Sequence, residues 1–217
     1  MEMTERVKPA DVQRVVMELG RRYDFGRGEG HALKVRDLAL KIFDDAKRLG
    51  LHGMGPRERL WLEAAALLHD VGVSVGGEHH ESSRELILSS EELRRALGPL
   101  GLRAVAWTAF FHGREPDPLG HPDPEWRELL GSECGGAVVR LAATLRVADA
   151  LDRSLLQAVE GVELERRGDR VLVKAYSRGD ASVEVERARE EARLFERAFG
   201  VRVEVRQVPK RSARRGP

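Results

Sequence analysis

Leu62-Glu-Ala-Ala-Ala-Leu-Leu-His-Asp-Val-Gly72 is the stretch on which the fold turns. Alanine and leucine favour a helix, Pro56 suits its first turn, and Gly72 stops it. Leu60, Leu62, Ala65, Ala66 and Leu68 make that helix apolar enough for a core. It ends in two adjacent ionisable residues, His69 and Asp70. Burying such a couple is costly unless the two groups are paired or hold a metal ion. A His-Asp dipeptide alone is common, so its meaning depends on what the flanking sequence brings to it.

Toward the N-terminus, periodicity predicts a helix over about 30–49, with His31, Val35, Leu38, Ile42, Ala46 and Leu49 on one stripe. His31 heads that stripe. Asp24 to Gly30 carries three glycines and separates it from a first helix at 9–23, where Val12, Val15, Val16 and Leu19 recur at helical spacing. Toward the C-terminus, a loop from Val71 to Gly77 precedes helices at 79–89, 90–98 and 100–112. Gly113 to Pro124 holds four prolines and reads as a loop. A short helix over 123–130 and a long, buried one over about 134–156 follow. Asp149 lies on the latter, so His31, His69, Asp70 and Asp149 bring nitrogen and oxygen ligands from three helices. Imidazole with carboxylate and no thiolate suits Mn, Fe, Co, Ni or Mg better than structural zinc. Each also has a structural reading: His31 as a helix-start residue, Asp149 as a partner of Arg146 or Arg153.

From about residue 158 the pattern changes. Val159 to Leu164 and Arg170 to Ala175 alternate about the turn Gly168-Asp169, predicting a hairpin. Helix 182–199 is amphipathic and Gly200 stops it; Val201 to Val205 is a last strand. The fold class expected is mainly α, a helical bundle over 1–157 followed by a small α+β (β-β-α-β) unit over 158–208. The end, 209–217, holds four basic residues and no acid, and is expected to be a disordered tail. Nothing in the β-β-α-β unit has a catalytic pattern.

Composition bounds the function. The 217 residues suffice for one large domain, or one domain with an appendage, without staples. A net charge of +1 gives no argument for a nucleic-acid partner, which is not expected. The single cysteine, Cys134, excludes an intramolecular disulfide and a cysteine-rich zinc site. There is no apolar run of membrane-spanning length, and the N-terminus lacks the apolar core of a secretory signal, so a cytoplasmic location is expected. No asparagine, three glutamines and 31 arginines fit a thermophile, as they do a GC-rich genome.

The order His31, then His69-Asp70, then Asp149, each on an apolar helix, resembles the HD phosphohydrolase superfamily. The segments His31-Ala-Leu-Lys-Val, His79-His80-Glu-Ser-Ser-Arg-Glu-Leu-Ile, Phe111-His112-Gly-Arg and Leu145-Arg-Val-Ala-Asp-Ala-Leu-Asp-Arg-Ser extend the resemblance. They are similar to the C-terminal HD domain of the exopolyphosphatase/guanosine pentaphosphate phosphatase (Ppx/GppA) family, over residues 10–156. The β-β-α-β unit fits that family's final domain. The family's actin-like phosphatase domain has no room in this sequence, so exopolyphosphatase activity is not carried over. Ser82 stands where the family often has a third histidine, which puts the make-up of a second metal site in doubt.

The resemblance implies a first divalent-metal site at His31, His69, Asp70 and Asp149, with Asp70 orienting the nucleophilic water. It implies His79 or His80, with His112, as ligands of a second ion or as phosphate contacts, His112 being catalytic in the latter case. Lys34, Arg146 and Arg153 lie within one turn of these residues and are expected to clamp phosphate; the other reading pairs the two arginines with Asp149 or Asp152. His52 and His121 read as ordinary surface residues. The expected function is metal-dependent hydrolysis of a nucleotide or other small phosphate ester. The alternatives are a catalytically silent nucleotide- or metal-binding regulatory module acting through a protein or nucleic-acid partner, and an interaction domain acting through the tail. The partner expected is a small phosphorylated substrate, with a homodimer one option and no membrane.

Overall fold

The structure is a computed structural model that describes residues 8–209. Helix α1 (Pro9–Arg22) starts on a proline at its first turn and buries Val12, Val15, Val16 and Leu19. The chain then turns through Asp24, Phe25 and Gly26, all at positive φ. Gly26 is essential to this turn: a Cβ there would lie 1.7 Å from the carbonyl oxygen of Asp70. The stretch that reads as a mere helix break is thus pressed against the metal-ligand candidate. Helix α2 (Glu29–Arg48) buries His31, Val35, Leu38, Ile42 and Ala46 as its stripe predicts, while Leu49 stays half-buried. Helix α3 (Pro56–Leu68) is followed by a 3-10 turn, Val71–Val75, within the segment expected to be a loop.

Helices α4 (His79–Ser89) and α5 (Glu91–Phe110) come next; α5 is broken at Gly98, φ 70°, ahead of Pro99, where two helices were expected. Helix α6 (Pro124–Leu130) is capped by the Asp123 carboxylate, which accepts from the backbone N–H groups of Glu125 and Trp126. Helix α7 (Gly135–Ala150) ends six residues short of expectation. The cause is Asp152: its carboxylate accepts from the backbone N–H of Gln157 at 2.9 Å, and Leu155 and Gln157 take positive φ. A side chain that bonds nearby backbone in this way competes with helix continuation.

Strands β1 (Val159–Arg167) and β2 (Arg170–Ser177) form the expected antiparallel hairpin, with an irregularity between Val159 and Gly161. Helix α8 (Ser182–Phe199) ends at Gly200 in the left-handed region and returns the chain to β3 (Arg202–Pro209), which pairs with β2 in parallel. The sheet order is β1-β2-β3. Helix α8 packs against both α7 and β3, so the β-β-α-β unit rests on the helix that carries Asp149. The basic tail lies outside the described residues, except for Pro209, which closes β3. No described helix is long and apolar enough to cross a membrane.

A buried carboxylate joins the sheet to the bundle. Asp45 on α2 accepts from Lys41 Nζ at 2.7 Å, Arg48 Nη2 at 3.0 Å and the Leu164 backbone N–H at 2.9 Å. Burial raises its pKa, but these three donors outweigh burial and hold it below the usual carboxylate value. A depressed pKa stabilises the fold above the unfolded-state value of about 3.9, and the stabilisation is lost as pH falls through the folded-state value. Asp45→Asn is therefore expected to lower the unfolding free energy by about 2 kcal/mol at pH 7. In urea titrations the gap from wild type should narrow below about pH 4. A gap that ignores pH would show that the carboxylate charge is not what pins β1.

Candidate metal centre

Four side chains meet: His31 on α2, His69 and Asp70 just past the end of α3, and Asp149 on α7. His31 Nε2 lies 3.3 Å from Asp149 Oδ1 and 3.6 Å from Asp70 Oδ2. His69 Nε2 lies 3.4 Å from Asp70 Oδ2 and 3.5 Å from Asp149 Oδ1. Ligands about 2.1 Å from one ion stand about 3.0–3.4 Å from one another, so these four atoms have the spacing of a coordination shell. A second group adjoins the first. Asp70 Oδ1 lies 3.4 Å from His112 Nε2 and 3.8 Å from His79 Nε2, and the two Nε2 atoms are 3.3 Å apart. The two oxygens of Asp70 thus face two separate donor groups.

The hydrogen bonds fix which nitrogen each ring offers. His31 Nδ1 donates to Asp152 Oδ2 at 2.9 Å, and His69 Nδ1 donates to the Ala66 carbonyl at 2.8 Å. His112 Nδ1 donates to the Ala109 carbonyl. An acceptor on Nδ1 holds the proton there and leaves the Nε2 lone pair facing inward, as metal-binding histidines require. His31 Nε2 and His69 Nε2 are buried without any hydrogen-bond partner. Two orphaned nitrogens beside two carboxylates are what a cation would satisfy.

Electrostatics agree. Burial lowers the pKa of His31, but Asp149, Asp152 and Asp70 outweigh it and push it up to about 11. Burial likewise opposes charge on His69, and Asp70 and Asp149 push it up to about 9. Burial raises Asp70 and Asp149, yet the facing imidazoles hold both carboxyls well below the usual range. The carboxylates demand positive charge, and protons and divalent ions compete for the same Nε2 atoms.

The other predicted residues fare unevenly. Arg153 is exposed and lines the rim of a cavity of about 170 Å³ that also exposes Asp70, His79, His112 and Asp149. Arg146 lines that cavity too, but neither expected role describes its bonds. Its guanidinium is buried and donates to three carbonyls: Nε to Phe111 at 2.7 Å, Nη2 to Pro116 at 2.6 Å and Nη1 to Arg114 at 3.4 Å. It braces the segment that carries His112. Lys34 is half-buried one turn along α2 and is not on the cavity wall. His80 stands outside both donor groups, its ring edge-on to Phe110 at 5.1 Å.

His52 and His121 are half-buried, not surface residues. His52 Nε2 sits 3.1 Å from the Phe43 carbonyl, and His121 packs against Trp107, Phe110 and Phe111. Two residues escaped the sequence reading. Arg27 Nε lies 2.8 Å from Asp70 Oδ2, and Asp152 holds His31. The signal for Arg27 was an arginine inside the glycine-rich break just before the first ligand helix.

A family model described as HD domain matches residues 28–154. The match takes in His31, His69, Asp70, His79, His112, Asp149 and Asp152, and ends before the β-β-α-β unit. No curated protein matches the chain.

Proposed function

The chain belongs to the HD domain family, and from that premise we propose that it hydrolyses a nucleotide or other small phosphate ester with a divalent metal ion. The observation that carries the reading is the pair of orphaned Nε2 atoms of His31 and His69 set against Asp70 and Asp149. These four residues would hold one ion; Asp70, His79 and His112 form a second donor group beside it. Mn, Mg, Fe, Co and Ni all suit such ligands. When bound, the metal supplies Lewis acidity and lowers the pKa of water.

The chain's own residues do the rest. Asp70, held ionised, accepts a hydrogen bond from the attacking water and orients it. His112 presents Nε2 to the cavity, 3.4 Å from Asp70 Oδ1, where it contacts the phosphoryl group. Arg27, paired with Asp70, adds positive charge at the cavity wall, and Arg153 stands at its rim. Within the family, the sequence resemblance favours the C-terminal domain of the Ppx/GppA branch, in a cytoplasmic enzyme with a 1–157 catalytic unit and a 158–208 appendage.

Elemental analysis of wild type beside Asp149→Ala tests this. The wild type should carry about one or two divalent ions per chain and the variant far fewer. Metal-dependent release of phosphate from a panel of nucleotides and phosphate esters should accompany the metal. A wild type that takes up no divalent ion on dialysis would retire the proposal.

A further inference from the structure

We propose that Arg153 and Arg187 form a second anion subsite, leading from the metal cavity onto a groove along α8. They would select substrates that carry another negative group next to the scissile phosphate. This rests on the phosphohydrolase reading above.

The size of the metal cavity is the first argument. At about 170 Å³ it admits a phosphoryl group and water, but it falls short of the roughly 300–1,000 Å³ of sites that enclose whole metabolites. The remainder of the substrate must lie elsewhere. A groove of about 830 Å³ opens alongside, walled by Ser182, Val183, Glu186, Arg189, Glu190 and Gln207. Arg153 and Arg187 are the wall residues the two spaces share. A molecule reaching from the metal centre into the groove therefore passes between two guanidinium groups.

Their chemistry defines what passes. Planar guanidinium groups favour phosphate or carboxylate, which they bind bidentately. Arg187 is held in place, with Nη1 2.9 Å from Glu190 Oε2 and Nη2 3.2 Å from the buried Glu191. Arg153 is exposed and has no ion-pair partner among the described residues, so its charge is available to a ligand. The scissile phosphoryl group has the metal donors and Arg27 beside it; these two arginines lie on the way out, where a second charge would sit. Val183, 61% exposed, with Ser182 and Gln207, then offers a mixed apolar and polar wall to the rest of the molecule. The β-β-α-β unit, which carries no catalytic pattern, would thus serve as the specificity element of the enzyme.

The test is calorimetry on the metal-loaded full chain with probes that cannot be hydrolysed. Methylphosphonate carries one anionic group; methylenediphosphonate adds a phosphonate and phosphonoacetate adds a carboxylate. The wild type should bind at least one two-anion probe about tenfold or more tighter than methylphosphonate, and the better of the two names the second group. Arg153→Gln should erase most of that advantage while metal content and melting temperature stay at wild-type values, because Arg153 has no ion-pair partner to orphan among the described residues. Arg187→Gln should erase it as well, and Arg193→Gln, on the exposed face of α8, should keep it. An advantage that survives in both Arg153→Gln and Arg187→Gln overturns the subsite, as does an equal loss for the one-anion probe. Probe binding that depends on Arg153, in a protein that hydrolyses no ester, would keep the subsite and retire the phosphohydrolase reading.

Discussion

Asp70→Asn is expected to strip the protein of bound metal and to lower its metal-dependent turnover by about 10³-fold or more. Asp70 is the one carboxylate common to both donor groups: Oδ2 faces His31 and His69, and Oδ1 faces His112 and His79. Asparagine keeps the volume and loses the charge. Its amide N–H₂ can also donate to the inward-facing Nε2 lone pairs, and so occupy the nitrogens a metal ion would take. Both groups are degraded at once, whereas His112→Gln touches only the second. The ranking is therefore Asp70→Asn below His112→Gln in retained metal, measured by elemental analysis after identical dialysis. In steady-state assays at saturating metal, the Asp70 variant should lose turnover even where excess ion restores some occupancy, because the carboxylate proposed to orient the water is gone. Wild-type metal content and turnover in Asp70→Asn would sink the assignment.

How much of this centre the sequence disclosed depends on how local each feature is. His69-Asp70 stood out because two ionisable groups ended a helix that was otherwise alanine and leucine, and His31 and Asp149 because each lay on an apolar helix. Burial against type is visible in one dimension. Arg27 was not, because its place comes from Gly26 packing its backbone onto Asp70, a contact 44 residues away in sequence. Arg146 misled for a related reason. Its spacing from Asp149 put both on one helix turn, but three carbonyls of the segment after α5 were nearer partners than any carboxylate. The hairpin was legible from alternation about Gly168-Asp169. The parallel pairing of β3 with β2 was not, since it depends on how α8 docks against α7. The early end of α7 was hidden as well: Leu151 to Leu156 has good helical propensity, and only the tertiary demand on Asp152 overrides it.

That demand leads to the second large effect. Asp152 is fully buried; its Oδ2 takes the proton of His31 Nδ1 and its Oδ1 takes the backbone N–H of Gln157. Gln157 in turn donates from Nε2 to the carbonyl of Gly30, the residue before His31. The turn after α7 therefore grips the start of α2 from two sides. In Asp152→Asn the amide oxygen can still accept from Gln157, so the turn survives, but the amide nitrogen then faces His31. Two donors cannot share that contact. The ring must move its proton to Nε2, and that closes the lone pair a metal ion needs. Metal affinity, measured by competition with a chromophoric chelator, is expected to fall about 10–100-fold, as it does when the outer partner of a metal-binding histidine is lost. Gln157→Ala removes the grip on Gly30 and leaves the Asp152–His31 bond, so its affinity should stay near wild type. Were the two variants to weaken the metal equally, the turn's position would be the cause. Loss in Asp152→Asn alone assigns the effect to the proton on His31.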